Sequence, residues 1–253
     1  MDKIEFAVLN PGAVVEAEKT MTFAARLTQR GHKLNTLLDF LELYEQPHSE
    51  KLTSTLTGLP HPTIQKFGVI NILVVGLSRR ALAQITRHQN EVKFMSTSLQ
   101  YSDYSGAAQF VIPYALLDKP ELQEAYLQTC RRALATYETL IIAGIDNDTA
   151  GYDMPQSLRG ALLISATPYQ WKHMVSQRVC ARNTLETQYI LLRCWEELMR
   201  LAPAFFANAG PFCLQKGGCK EGKMACSWPI CKSGSTPTEL LNSRFPLLRE
   251  ETK

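Results

Sequence analysis

The run Phe67-Gly-Val-Ile-Asn-Ile-Leu-Val-Val75, passing through Gly76-Leu77-Ser78 into Arg79-Arg-Ala-Leu-Ala-Gln84-Ile-Thr-Arg87-His88-Gln89, decides the fold class. Its first part is β-branched and almost continuously apolar, the pattern of a strand covered on both sides. Gly76-Leu77-Ser78 reads as a turn, and Ser78 is a good N-cap for a helix running through Gln89. Leu82 and Ile85 would hold that helix to a core. A buried strand feeding directly into a helix with unusual polar residues is a junction at which ligand sites often lie.

Outward from this unit, Ile4–Leu9 reads as a strand closed by the turn tripeptide Asn10-Pro11-Gly12. Val14–Leu27 and Leu34–Leu43 carry apolar residues at helical spacing, and residues 45–63, with their Pro, Ser, Thr and His, read as a loop. Pro120 opens a helix through about Ile142, with Leu122, Tyr126, Ala133, Tyr137, Leu140 and Ile141 along one side. A last long helix spans about Thr184–Ala202 and stops at Pro203. There is no internal repeat and no dividing linker. The expectation is one mixed α/β (α+β) domain over residues 1–231, a central sheet flanked by helices, with a loosely held tail at 232–253.

The composition narrows the class of function. The 253 residues are 45% hydrophobic and 20% charged, which excludes a disordered chain. No stretch approaches about 18 consecutive apolar residues, so no membrane span is expected. The start, Met1-Asp2-Lys3-Ile4-Glu5-Phe6, is not that of a secretory signal, and a cytoplasmic protein is expected. A net charge of +3 is too small for a nucleic-acid face, whereas an excess of arginine suits an anionic small molecule. Seven cysteines without a signal peptide point to thiols and not to a disulfide framework. Cys130 and Cys194 fall on helix faces and read as core. Cys213, Cys219, Cys226 and Cys231 crowd the end of the chain, where a structural metal, buried free thiols and a redox-labile pair are all open.

Gln84, Arg87, His88 and Glu91 recur at helical intervals and would share one face. An amide, a guanidinium and an imidazole side by side can grip a phosphate and a planar ring; the same spacing also describes a solvated polar face. The following segment, Phe94-Met-Ser96-Thr97-Ser98-Leu99-Gln100-Tyr101-Ser102-Asp-Tyr104-Ser105-Gly106, packs hydroxyls and aromatics together. Its neutral donors suit phosphate and uracil-like edges, and equally suit local hydroxyl bonding in a turn.

With these residues in view, the chain resembles the flavin-dependent thymidylate synthases. The family has a helix ending in Arg-His-Arg and, seven residues on, Ser-x-Arg-Tyr-Ser; here stand Arg87-His88-Gln89 and Ser98-Leu-Gln100-Tyr101-Ser102. His61-Pro62-Thr63 resembles the family's flavin-contacting His-x-Ser/Thr segment. Arg178-Val-Cys180-Ala-Arg182-Asn-Thr-Leu-Glu186 resembles its Arg-rich helix start, and Ala209-Gly-Pro-Phe-Cys213, Cys219 and Cys226 the cysteine-bearing end of one branch. The pattern departs at Gln89 and Gln100, where the family has arginine, at Ser96, where it has glutamate, by one inserted residue before Ser98, and by a shortened 159–178 segment.

The resemblance implies a homotetramer with sites built from several subunits, binding no membrane or nucleic acid. It also implies FAD reduced by NADPH, a methylene group from 5,10-methylenetetrahydrofolate, and dUMP methylated at C5. Carried over by position, Gln84, Arg87, Ser98, Gln100, Arg159 and Arg178 would line the nucleotide. His61, Thr63, Arg87, His88, Gln89 and His173 would contact FAD. Arg178 would be the catalytic cation favouring charge on the pyrimidine. A related flavin-dependent C5-pyrimidine methylase or hydroxymethylase with another nucleotide, and a non-catalytic nucleotide-binding relative, are the alternatives.

Overall fold

The computed structural model describes residues 1, 3–215, 219, 221–226 and 234–248. Four strands, β1 (Glu5–Val8), β2 (Ile70–Ser78), β3 (Val92–Ser96) and β4 (Arg159–Ala166), form one antiparallel sheet in the order β1-β2-β4-β3. Ile164 on β4 lies opposite Ile72 on one side and Phe94 on the other. The helices of the described residues fall into two groups along the chain. The first is α1 (Pro11–Arg30), α2 (Leu37–Glu45), α3 (Glu50–Gly58), α4 (Arg79–Ile85), α5 (Pro120–Ile142) and α6 (Asn147–Ala150). The second is α7 (Pro168–Arg178), α8 (Leu185–Leu201), α9 (Pro203–Phe206), α10 (Phe212–Gln215) and α11 (Pro237–Arg244). The mixed α/β class with a sheet flanked by helices is therefore observed.

β2 is central, yet only one of its faces is sealed. Ile70, Ile72 and Val74 are fully buried, whereas Asn71 and Leu73 are half-buried and Val75 is 38% exposed. The expectation of a strand covered on both faces is thus corrected. In an antiparallel sheet the period-two alternation can leave one face partly open. Gly76 does not turn the chain either. It forms a bulge in β2 at φ +85, and a Cβ there would collide with the Lys3 carbonyl and the Arg159 guanidinium.

The core closes on this face with Trp171, Trp195, Phe205, Phe206 and Phe245, all essentially buried. Two indole N–H groups are satisfied inside it: Trp171 Nε1 donates to the Ile70 carbonyl and Trp195 Nε1 to that of Phe206, each at 3.1 Å. α8 buries Leu191, Leu192, Trp195 and Leu198, as its spacing predicts. α5 has the predicted bounds, although Leu122 is exposed and the residues it buries are Cys130 and Tyr137.

Three further sequence expectations are overturned. Residues 50–58 are helical and not loop, because Ser49 caps the helix by accepting from Leu52 N at 3.2 Å and Leu56 enters the core. α4 stops at Ile85 instead of reaching Gln89. The Thr86 hydroxyl donates to the Leu82 carbonyl at 2.9 Å, and the backbone turns away. The tail expected to be loose is held over residues 235–248. α11 starts in a capping box at Thr236 and Glu239, and Leu240 and Phe245 are buried in the main core.

Candidate active site

Two sequence-distant segments meet beside the sheet. α7 is capped by Thr167, whose hydroxyl accepts from Gln170 N at 3.3 Å, and Pro168 sits at its first position. Gln170, Trp171, Lys172, Met174, Val175 and Ser176 are buried. That leaves Tyr169, His173 and Gln177, four residues apart, as the outer stripe of the helix. The early end of α4 drops the loop of Arg87 and His88 against this stripe.

His88 is buried, and Arg178 Nε donates to its Nε2 at 2.9 Å. An acceptor at Nε2 places the ring proton on Nδ1. The His173 ring packs edge-on to His88, 5.9 Å between centroids, and its Nε2 lies 3.0 Å from Gln177 Nε2. Arg178 Nη1 donates to Asn183 Oδ1 at 3.3 Å, and Asn183 in turn donates to the Gln177 carbonyl at 2.7 Å, fixing the guanidinium's direction. Burial, with Arg178 and His173 beside it, pushes the His88 pKa down to about 4, so the imidazole is neutral at physiological pH. Arg178 is itself depressed, by burial first and then by the positive charge of Arg87. Neither arginine is paired with a carboxylate among the described residues. A guanidinium on a neutral imidazole, with a second positive charge acting on it and no carboxylate beside it among the described residues, is a site for an anion.

The stripe continues past His173. Lys66 Nζ lies 5.4 Å from the centre of the Tyr169 ring and 2.7 Å from Glu91 Oε1, while Glu91 Oε2 accepts from the Thr167 hydroxyl at 3.1 Å. The Lys66 bond holds the Glu91 carboxyl below its ordinary range. Sequence reading missed Lys66, Tyr169 and Asn183. The signal for the first was present: Lys66 follows Thr63 by three residues, and its backbone N–H closes that turn on the Thr63 carbonyl at 3.1 Å.

The remaining predicted residues are placed as follows. Gln84 lies in the last turn of α4, half-buried, while Arg87 and Glu91 have left the helix, so the shared helical face does not form. Gln89, His61 and Thr63 are exposed on neighbouring loops. Ser98 and Gln100 lie beyond the far end of β3. Neither is a hydrogen-bond partner of Arg178, which bonds His88 and Asn183. The Ser98 hydroxyl accepts from Gln100 N and Tyr101 N, at 3.1 and 3.2 Å, which is the local turn bonding. Arg159 also stands apart. It donates to Gln109 Oε1 at 2.6 Å and to the Lys3 carbonyl, lining a cavity of about 270 Å³ with Met1 and Phe110. A larger cavity of about 450 Å³, lined by Ser78, Arg80, Tyr126 and Glu186, holds none of the predicted site residues. There Glu186 accepts from both the backbone and the hydroxyl of Ser78, at 2.7 and 2.6 Å.

Cys130 and Cys194 are buried in the core. Cys213 is half-buried, Cys219 and Cys226 are exposed, and Cys231 lies outside the described residues. No three His, Cys, Asp or Glu side chains are grouped to hold a metal ion among the described residues. No described helix is long and apolar enough to cross a membrane.

The family described as "Thymidylate synthase complementing protein" matches residues 13–204. A flavin-dependent thymidylate synthase of Thermococcus onnurineus is 27% identical over 176 residues, 67% of this chain and 71% of that protein. Those of Pyrococcus furiosus and Geobacter sulfurreducens are 23% and 22% identical, covering 80% and 83% of this chain and 84% and 89% of theirs. The chain belongs to the thymidylate synthase complementing protein family.

Proposed function

From that membership we propose that the protein is a flavin-dependent enzyme that methylates a pyrimidine nucleotide at C5, with dUMP as substrate. FAD is the bound cofactor, NADPH its reductant and 5,10-methylenetetrahydrofolate the methylene donor. The observation that carries the reading is the Arg178 guanidinium held on the neutral, buried His88, with the charge of Arg87 near enough to act on it. The residues fit a flavin nucleotide. The guanidinium groups of Arg87 and Arg178, neither paired with a carboxylate among the described residues, match a phosphate and a pyrimidine carbonyl, and the edge-on His88–His173 pair offers an aromatic wall to a planar ring.

When bound, the flavin supplies the redox chemistry. The chain's own residues bind, orient and polarise. Arg178, oriented by His88 and Asn183, sets a fixed positive charge where negative charge develops on the pyrimidine. His88 stays neutral and holds that guanidinium by its Nε2 lone pair, leaving Nδ1–H as a donor. Ser98 and Gln100, engaged in local turn bonds, are assigned to the nucleotide held by another subunit. A homotetramer with shared sites is therefore part of the proposal.

Turnover of dUMP, UMP and dCMP, measured side by side with FAD present, tests it. Preferential methylation of dUMP is expected, and inertness toward all three refutes the reading. Gln100, exposed where the family has arginine, favours a second reading in which another pyrimidine nucleotide is preferred. An amide keeps a hydrogen bond but loses the bidentate charged grip.

A further inference from the structure

We infer that Lys66 binds the pyrophosphate of the flavin dinucleotide, at the opposite end of the α7 stripe from Arg178. This rests on the reading of the site as a flavin site and adds a residue to it. The stripe is continuous: Lys66 over Tyr169, His173 one turn on, the His173 ring against His88, and His88 on Arg178. From Tyr169 to Arg178 the helix rises about 13 Å. Cations therefore stand at both ends of one stripe with aromatic rings between them. A flavin dinucleotide has the same sequence of chemistry, a planar ring separated by a ribityl chain from two adjacent phosphate charges.

In the loop that follows α4 the positive charge of Arg87 acts at the Arg178 end. Gln89 is neutral and exposed, and Tyr169 offers a ring and a hydroxyl. Lys66 is available despite its pairing with Glu91. The two side chains are 36% and 35% exposed, and a pair so open to water is weak. A pyrophosphate carries more charge than one carboxylate and accepts charge-assisted bonds of the same kind. Glu91 keeps the Thr167 hydroxyl as a partner when Lys66 turns away. Thr63, one turn before Lys66, is exposed beside it and can add a hydroxyl donor.

The test measures binding of FAD and of riboflavin, which has the ring and ribityl chain but no phosphate, by quenching of flavin fluorescence. Lys66→Gln should weaken FAD binding by about ten-fold or more, the loss of one charge-assisted hydrogen bond. Riboflavin affinity should be unchanged, and Lys66→Arg should restore FAD. Glu91→Gln, which removes the competing carboxylate, should leave FAD binding equal or tighter. The double variant Lys66→Gln/Glu91→Gln should remain weak, which separates lost attraction from exposed repulsion. Equal FAD binding by the Lys66→Gln and unaltered proteins overturns the assignment of Lys66 and leaves the flavin reading intact. Parallel loss of FAD and riboflavin overturns it as well, because the defect then lies in the ring pocket or the fold. If the unaltered protein binds neither ligand, the flavin reading falls and Lys66 with it.

Discussion

Replacing Lys172 by methionine should make the protein more stable at neutral pH. Lys172 is on the inner side of α7, 8% exposed, with its ammonium 2.9 Å from Gln65 Oε1 and 4.7 Å from the centre of the Phe205 ring. No carboxylate pairs with it among the described residues, and burial drives its pKa from 10.5 down to about 7. The unfolded chain holds this proton up to about pH 10.5, whereas the folded protein sheds it above about 7. In that window the unfolded state binds more protons, so stability rises with pH. The cost is largest below pH 7 and is gone above 10.5. At about 1.4 kcal/mol per pH unit, it amounts to about 4 kcal/mol at pH 7. Lys172→Met removes that cost but strips Gln65 Oε1 of its donor, worth about 1–2 kcal/mol. The net gain expected at pH 7 is about 2–3 kcal/mol. Urea unfolding of both proteins at pH 7 and pH 10 measures it. By pH 10 the gain should have vanished or reversed, because the folded lysine is already neutral. A stability difference that is the same at both pH values refutes the reasoning, as does a variant less stable at pH 7.

Three further outcomes are expected. Arg178→Ala should lower turnover by about 100-fold or more, the loss typical of one preorganised charge-stabilising donor, while flavin affinity changes little; undiminished turnover would remove Arg178 from the chemistry. The His88 imidazole, followed by NMR, should titrate near pH 4. Because its folded pKa is depressed, its contribution to stability is intact above pH 6.5 and is lost as pH falls toward 4, and a midpoint at 6 or above would contradict the buried contact with Arg178. Gly76→Ala should destabilise by about 2 kcal/mol or more through a positive φ and the collision with Lys3 and Arg159, read as a shifted denaturation midpoint; an unchanged midpoint would mean that the bulge relaxes freely.

Local pattern carried much of this protein. The nearly continuous apolar run of β2, the Pro120 start of α5 and the Leu191–Leu198 stripe of α8 are short-range signals, and they fix elements without knowledge of their neighbours. The spaced motifs around Arg87, Ser98 and Arg178 likewise pointed to the family from sequence order alone. Tertiary contacts decided the rest. α4 ends at Ile85 and the loop after it lays His88 on Arg178, 90 residues away, a bond that no local rule encodes. α11 is ordered because Leu240 and Phe245 find the core, although its Ser, Thr and Pro composition reads as loose. Lys66 gained its place in the site only when α7 brought the Tyr169 ring beneath it. Sequence specifies which backbone each segment prefers, since those preferences act over a few residues. Which charges share a groove depends on long-range packing, and only the folded chain sets it.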